Sequence, residues 1–139
     1  MERTLTIIKP DAVGAGNIGN ILGRLQREGF RILNLKWIHL TQAQAEGFYR
    51  EHRERPFFSS LVKFMTEGPV LVVALQKERA VGDLRKVMGA TDPAKAEPGT
   101  LRKDYASSIE RNAIHGSDSP QSAELELAYF FSRMELGAN

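Results

Sequence analysis

The sequence contains no cysteine, which removes disulfides, thiolate catalysis and sulfur-ligated metals and makes an intracellular address the default. It has no run of about 18 apolar residues, and residues 1–4 lead into a strand-like segment without the apolar stretch of an export signal. The expectation is a soluble, cytoplasmic protein with no membrane partner. An excess of one charge is missing too: 19 Lys and Arg face 17 Asp and Glu, a formal net charge of +2, so no global field favours nucleic acid or a membrane surface. The Walker pattern G-x-x-x-x-G-K-[ST] is absent, and any phosphoryl transfer here proceeds without a P-loop. The three histidines show no H-E-x-x-H or related spacing, which argues against a protein-ligated zinc site. Repeats, low-complexity tracts and linkers are lacking. A chain of 139 residues, 42% hydrophobic, fits a single domain over 1–139 with one core.

Among the cations, twelve are Arg and seven are Lys, and the guanidinium fork matches phosphate oxygens better than an ammonium does. Residues 4–8 read as a strand. Residues 18–28 read as a helix with Ile21, Leu22 and Leu25 on one face and Gly29 just beyond its end. Residues 31–40 read as a second strand, with Leu33, Leu35 and Trp37 on one parity, and Thr41 caps a helix carrying Ala43, Ala45, Phe48 and Tyr49. A short helix is expected over 58–66. Residues 69–75 are apolar on both parities, the mark of a central strand covered on both faces. A helix follows over 77–88, then a long loop over 89–108 with room for one short turn, a brief edge strand at 113–115 and a last helix. The order implies an α+β, ferredoxin-like split βαβ fold: an antiparallel four-stranded sheet, a helical insertion after strand 2 and a long loop before strand 4.

The most telling segment is Asn112-Ala113-Ile114-His115-Gly116-Ser117-Asp118-Ser119. It places one imidazole between a short apolar stretch and the capped start of a helix, since Ser119 suits the N-cap and Pro120 the first helical position. Glu126, eleven positions after His115, can return toward the ring, fix its tautomer and leave the second nitrogen free to attack. Taken alone, a His near a helix start is more often a capping or surface residue. His39 and His52 read as solvated or structural. Lys9, held extended before Pro10, aims its ammonium out of a strand end. Arg85 and Arg102 form a clamp only if they converge. Phe57 and Phe58 cannot both be comfortable core residues, and one could offer a ring face to a base. The formal G-x-G-x-x-G at Gly14-Ala15-Gly16-Asn17-Ile18-Gly19 lies five residues past its strand. No acidic residue on the second strand waits for a ribose, so a dinucleotide reading is rejected.

Lys9-Pro10-Asp11, Tyr49, Arg55-Pro56-Phe57-Phe58, Arg85, Thr91 and Arg102, together with the segment from Asn112 to Ser119, make the chain resemble the nucleoside diphosphate kinases from about residue 3 to 131. The resemblance implies that His115 is phosphorylated by a nucleoside triphosphate, with Glu126 on the ring nitrogen that does not attack and Ser117 beside that carboxylate or the phosphoryl group. Lys9 and Asn112 would contact the sugar 3′-hydroxyl, Lys9 also the transferred phosphoryl group. Arg85, Thr91 and Arg102 would hold the polyphosphate, Tyr49 would pack beside the site, and the base would stack on Phe57. Mg²⁺ would be bound mainly through nucleotide phosphates, with Asp118 positioning one of its waters. The implied partners are ribo- and deoxyribonucleoside tri- and diphosphates, with broad base tolerance, a ping-pong route and no specific nucleic acid. The segment from Met134 to Asn139 lacks a longer tail, which favours a homo-oligomer built from dimers, a tetramer before a hexamer. Two other readings stay open on sequence: a nucleotide- or single-stranded nucleic-acid-binding module without turnover, and a histidine phosphocarrier served by a partner protein.

Overall fold

The computed structural model describes residues 1–137; Ala138 and Asn139, the end of the short tail discussed above, lie outside the described residues. Four strands form one antiparallel sheet in the order β2-β3-β1-β4, with β1 at Glu2–Ile8, β2 at Arg31–Ile38, β3 at Val70–Lys77 and β4 at Ile114–Gly116. This is the expected split βαβ plan. The two long inner strands pair from Glu2 with Lys77 to Ile8 with Leu71. β3 is buried from Val70 to Gln76 on both parities, as its apolar run requires, because helices cover both faces of the sheet. One core layer joins Ile8, Ile21, Leu25, Leu75, Leu84 and Met88; the other joins Leu5, Ile7, Met65, Val72, Leu127 and Phe130.

The helices are α1 (Pro10–Gly14), α2 (Ile18–Arg27), α3 (Gln42–Phe48), α4 (Phe58–Met65), α5 (Ala80–Met88), α6 (Leu101–Tyr105), α7 (Pro120–Phe130) and α8 (Arg133–Leu136). α2 buries Ile21 and Leu25 and stops before Gly29, whose φ of +94 suits a residue without a Cβ. Thr41 opens α3 with a full capping box to Gln44. Four expectations shift. α1 begins directly after Lys9, where an open approach was expected: Pro10 can start a helix because it lacks an N–H, but five residues carry no readable period. The loop over 89–108 contains a 3₁₀ turn at Pro93–Lys95 as well as α6, which Thr100 caps by accepting from the Lys103 N–H. Lys77 belongs to β3, and α5 starts at Ala80. The Lys77 ammonium lies over the Phe30 ring, 5.5 Å from its centroid, and pairs with Asp83. The single parity expected in β2 is broken by a bulge between Ile32 and Asn34, after which Leu35 and Trp37 are exposed.

Candidate active site

Each site residue is delivered by the end or edge of an element. Lys9, extended at φ −79 and ψ 166, leaves the tip of β1. Its side chain is 7% exposed, and Nζ donates to Asn112 Oδ1 at 2.8 Å. Burial pulls its pKa down to about 8; the Arg102 charge adds to the shift, and Asp11 and Glu110 oppose it. Asn112 also donates from Nδ2 to the Thr91 carbonyl at 3.4 Å, tying the long loop to the site.

His115 is the middle residue of β4, paired with Ile7, and the Thr6 hydroxyl donates to its carbonyl at 2.6 Å. α7 brings Glu126 to the ring. Its start is fixed by Ser119, which accepts from the Ser122 N–H, and by Pro120 in the first turn. His115 Nε2 and Glu126 Oε1 are 2.7 Å apart, and the fully buried Ser117 donates from its hydroxyl to the same oxygen at 2.8 Å. An ionised carboxylate only accepts, so Nε2 carries the hydrogen and Nδ1 keeps its lone pair. Burial lowers the His115 pKa from its ordinary value; Glu126 opposes the shift, and Lys9 and Arg102 reinforce it. The imidazole is therefore neutral at pH 7. Phe48 stands edge-on to the ring, with centroids 5.3 Å apart.

Lys9, Arg85 and Arg102 converge on one cleft of about 410 Å³, whose walls include Tyr49, Thr91, Asn112, His115, Asp118 and Glu126. Arg85, on α5, makes a long 3.5 Å contact to the Gly116 carbonyl. Arg102, on α6, is 5% exposed and donates to the carbonyls of Gly89 at 3.1 Å and Ile114 at 2.8 Å. Burial, with Arg85 nearby, lowers its pKa to about 10, and it stays charged at neutral pH. The Tyr49 hydroxyl is buried and makes no hydrogen bond within the described residues. Burial, with Glu126 second, raises its pKa, so it remains a donor. Asp118 is held below the ordinary carboxylate range chiefly by a hydrogen bond from Ser122, with Arg85 adding.

Two expected residues stand apart from the cleft wall. Ser117 lies behind Glu126. Phe57, the residue before α4, is 46% exposed and reaches the cleft only through His52, a wall residue 5.6 Å from its ring centroid. Phe58 packs against the core instead, as a single buried member of the pair requires. The sequence reading missed His52 and Phe48 as wall residues. His52 sits in a charged run, and Phe48 also fits the core face of α3. Among the described residues no group of three or more His, Asp or Glu could hold a metal ion, and no helix is long and apolar enough to cross a membrane.

The model of the family described as nucleoside diphosphate kinase matches residues 2–136. A nucleoside diphosphate kinase from Trichlorobacter lovleyi is 56% identical over 98% of this chain and 99% of its own length. One from Geobacter sulfurreducens has the same identity and coverage. Among solved structures, the Aquifex aeolicus nucleoside diphosphate kinase superposes with a TM-score of 0.95 at 45% identity, covering 98% of this chain and 99% of that one.

Proposed function

The chain belongs to the nucleoside diphosphate kinase family, a transferase that moves the γ-phosphoryl group from a nucleoside triphosphate to a nucleoside diphosphate through a phosphohistidine, and from that premise we propose that His115 is the phosphorylated residue. The observation that carries the assignment is the pairing of Nε2 with Glu126 at the wall of a cleft that also holds three cations. In the first half-reaction the Nδ1 lone pair attacks the γ-phosphorus. An N–P bond forms, the bond to the β–γ bridging oxygen breaks, and the nucleoside diphosphate leaves with that electron pair. Glu126 takes up the growing positive charge on the ring through Nε2–H, and Ser117 keeps the carboxylate aimed. In the second half a terminal oxygen of the acceptor diphosphate attacks the same phosphorus from the other side, and Nδ1 recovers its pair.

Positioning and neutralisation do most of this work. Arg85, Arg102 and Thr91 hold the polyphosphate, Tyr49 donates to it or to Lys9, and Lys9 with Asn112 holds the sugar 3′-hydroxyl, Lys9 reaching the transferred group as well. Among the described residues no acidic cluster could hold a metal ion by itself, so a Mg²⁺ would be held mainly through nucleotide oxygens, with Asp118 on the cleft wall positioned to hold one of its waters. When bound, the ion supplies charge neutralisation to the phosphates. The base stacks on Phe57. Hydrogen bonds from Ser60 to Glu110 at 2.9 and 2.7 Å tie the start of α4 to the segment carrying Ile109, another exposed apolar side chain. Apolar faces without base-edge hydrogen bonds make base selection weak. We place the chain in the cytoplasm as a homo-oligomer built from dimers, a tetramer before a hexamer; the exposed edge of β2 supports the dimer alone.

Incubation with γ-labelled ATP and Mg²⁺ tests the assignment. We expect one acid-labile, alkali-stable label per chain, discharged by any nucleoside diphosphate and lost in His115→Ala. Full exchange activity in that variant would overturn it, and tight oligonucleotide binding without exchange would establish the binding-module reading in its place.

A further inference from the structure

We infer that Asp11 is a positioning residue for this reaction: its carboxylate holds the backbone at Ala113 in a left-handed turn from which Asn112 and His115 take their places. The inference rests on His115 being the phosphorylated residue. Ala113 has φ +73, and among the described residues it is the one non-glycine with positive φ; its side chain is fully buried. The Ile114 N–H donates back to the Asn112 carbonyl at 2.8 Å, so Ala113 is the centre of a γ-turn with positive φ. That form is rare and strained, and it persists only where neighbours hold it.

Two hydrogen bonds do so, both from the segment Lys9-Pro10-Asp11. The Lys9 N–H donates to the Ala113 carbonyl at 2.9 Å, and the Ala113 N–H donates to Asp11 Oδ2 at 3.0 Å. The peptides on either side of the strained residue are thus gripped by the turn that leaves β1. Immediately before it, the Asn112 side chain accepts from Lys9 Nζ; two residues after it stands His115. A rotation at Ala113 would carry off the sugar contact and the nucleophile together. Asp11 Oδ1 is buried and makes no hydrogen bond within the described residues, so one acceptor oxygen is all the grip requires, and an amide oxygen can supply it.

The test is single-turnover labelling with γ-labelled ATP and Mg²⁺, comparing wild type, Asp11→Asn, Asp11→Ala, Ala113→Gly and the double variant Asp11→Ala/Ala113→Gly. For Asp11→Ala we expect a phosphohistidine rate about 10²-fold lower, the usual cost of misplacing a reacting atom by about 1 Å, at temperatures where circular dichroism shows every variant folded. Measured at a pH well below 8, where Lys9 stays charged without the Asp11 carboxylate, Asp11→Asn keeps most of the rate, because its oxygen accepts the same N–H. The double variant recovers most of what Asp11→Ala loses, since glycine takes positive φ without penalty. A purely structural role would lower the melting temperature and leave the rate of the folded protein alone. The inference is overturned if folded Asp11→Ala labels at the wild-type rate, if Asp11→Asn falls as far as Asp11→Ala, or if the double variant is about 10²-fold slower than Ala113→Gly alone. The last comparison holds even where Asp11→Ala does not fold. Wild type that acquires no label on His115 refutes the assignment of the nucleophile, a result separate from all of these.

Discussion

In the proposed reaction Lys9 and His115 set opposite limits on the pH at which the cleft can work. Attack needs a neutral imidazole, and burial has lowered the His115 pKa from its ordinary 6.5. Neutralising the transferred group needs a charged Lys9, whose pKa burial has lowered to about 8. The rate constant kcat/KM, which reports the free protein, should therefore rise through a limb lying below pH 6.5, stay level around neutrality and fall as pH passes about 8. An acid limb above pH 6.5 would contradict the dominance of burial. Glu126→Gln removes the charge that opposes the downward shift of His115, so its acid limb should move further toward low pH while kcat falls by roughly 10²-fold through poorer ring placement. Steady-state profiles of both proteins check the two effects separately. At this scale the sequence was readable wherever a pair sits on consecutive elements, as His115 and Glu126 do across one helix start. Asp11 and Ala113 lie 102 positions apart, and no spacing rule connects a carboxylate to a backbone N–H at that distance.

β4 is only three residues long, so the elements around it fix its position. A Cβ built on Gly116 would lie 2.5 Å from Met88 Sδ and 3.0 Å from Leu84 Cδ2, both on α5. The strand carrying His115 therefore rests directly on that helix, which also carries Arg85, and one contact sets both side chains. Gly116→Ala should destabilise the fold by about 1–3 kcal/mol through overpacking and lower kcat by displacing β4. In a Met88→Ala background, where that room exists, Gly116→Ala should cost less than in the wild type, as chemical denaturation and exchange assays would show; an equal cost in both backgrounds would place the strain elsewhere. Elements of eight residues or more, such as α2, β3 and α7, announced themselves through periodicity or a doubly apolar run. α1 and α6 have five residues each, too few for a period, and they form because Pro10 and Thr100 satisfy helix starts that tertiary contacts then keep. The bulge in β2 was equally hidden, since alternation alone cannot register an extra residue.

The whole molecule leaves one long strand unpaired on its outer side. Among the described residues β2 pairs only with β3, and it exposes Leu35 at 43% and Trp37 at 61%. An open edge carrying large apolar side chains invites another strand, and Trp37 also borders a groove lined by Leu40, Tyr129 and Phe130. A second copy related by a twofold axis can lay its own β2 antiparallel along this edge, which joins the two four-stranded sheets and covers both tryptophans at once. The cleft around His115 is lined by residues that do not include Trp37. Assembly and phosphorylation should therefore separate: Trp37→Glu places a charge at the seam and should reduce the mass measured by light scattering to that of a smaller species, while each chain still accepts one label on His115. Trp37→Glu with the wild-type mass would move the dimer contact away from β2. Loss of labelling in a folded monomer would show that assembly and cleft are coupled, through the neighbouring copy or through Tyr129, which borders both the Trp37 groove and the cleft.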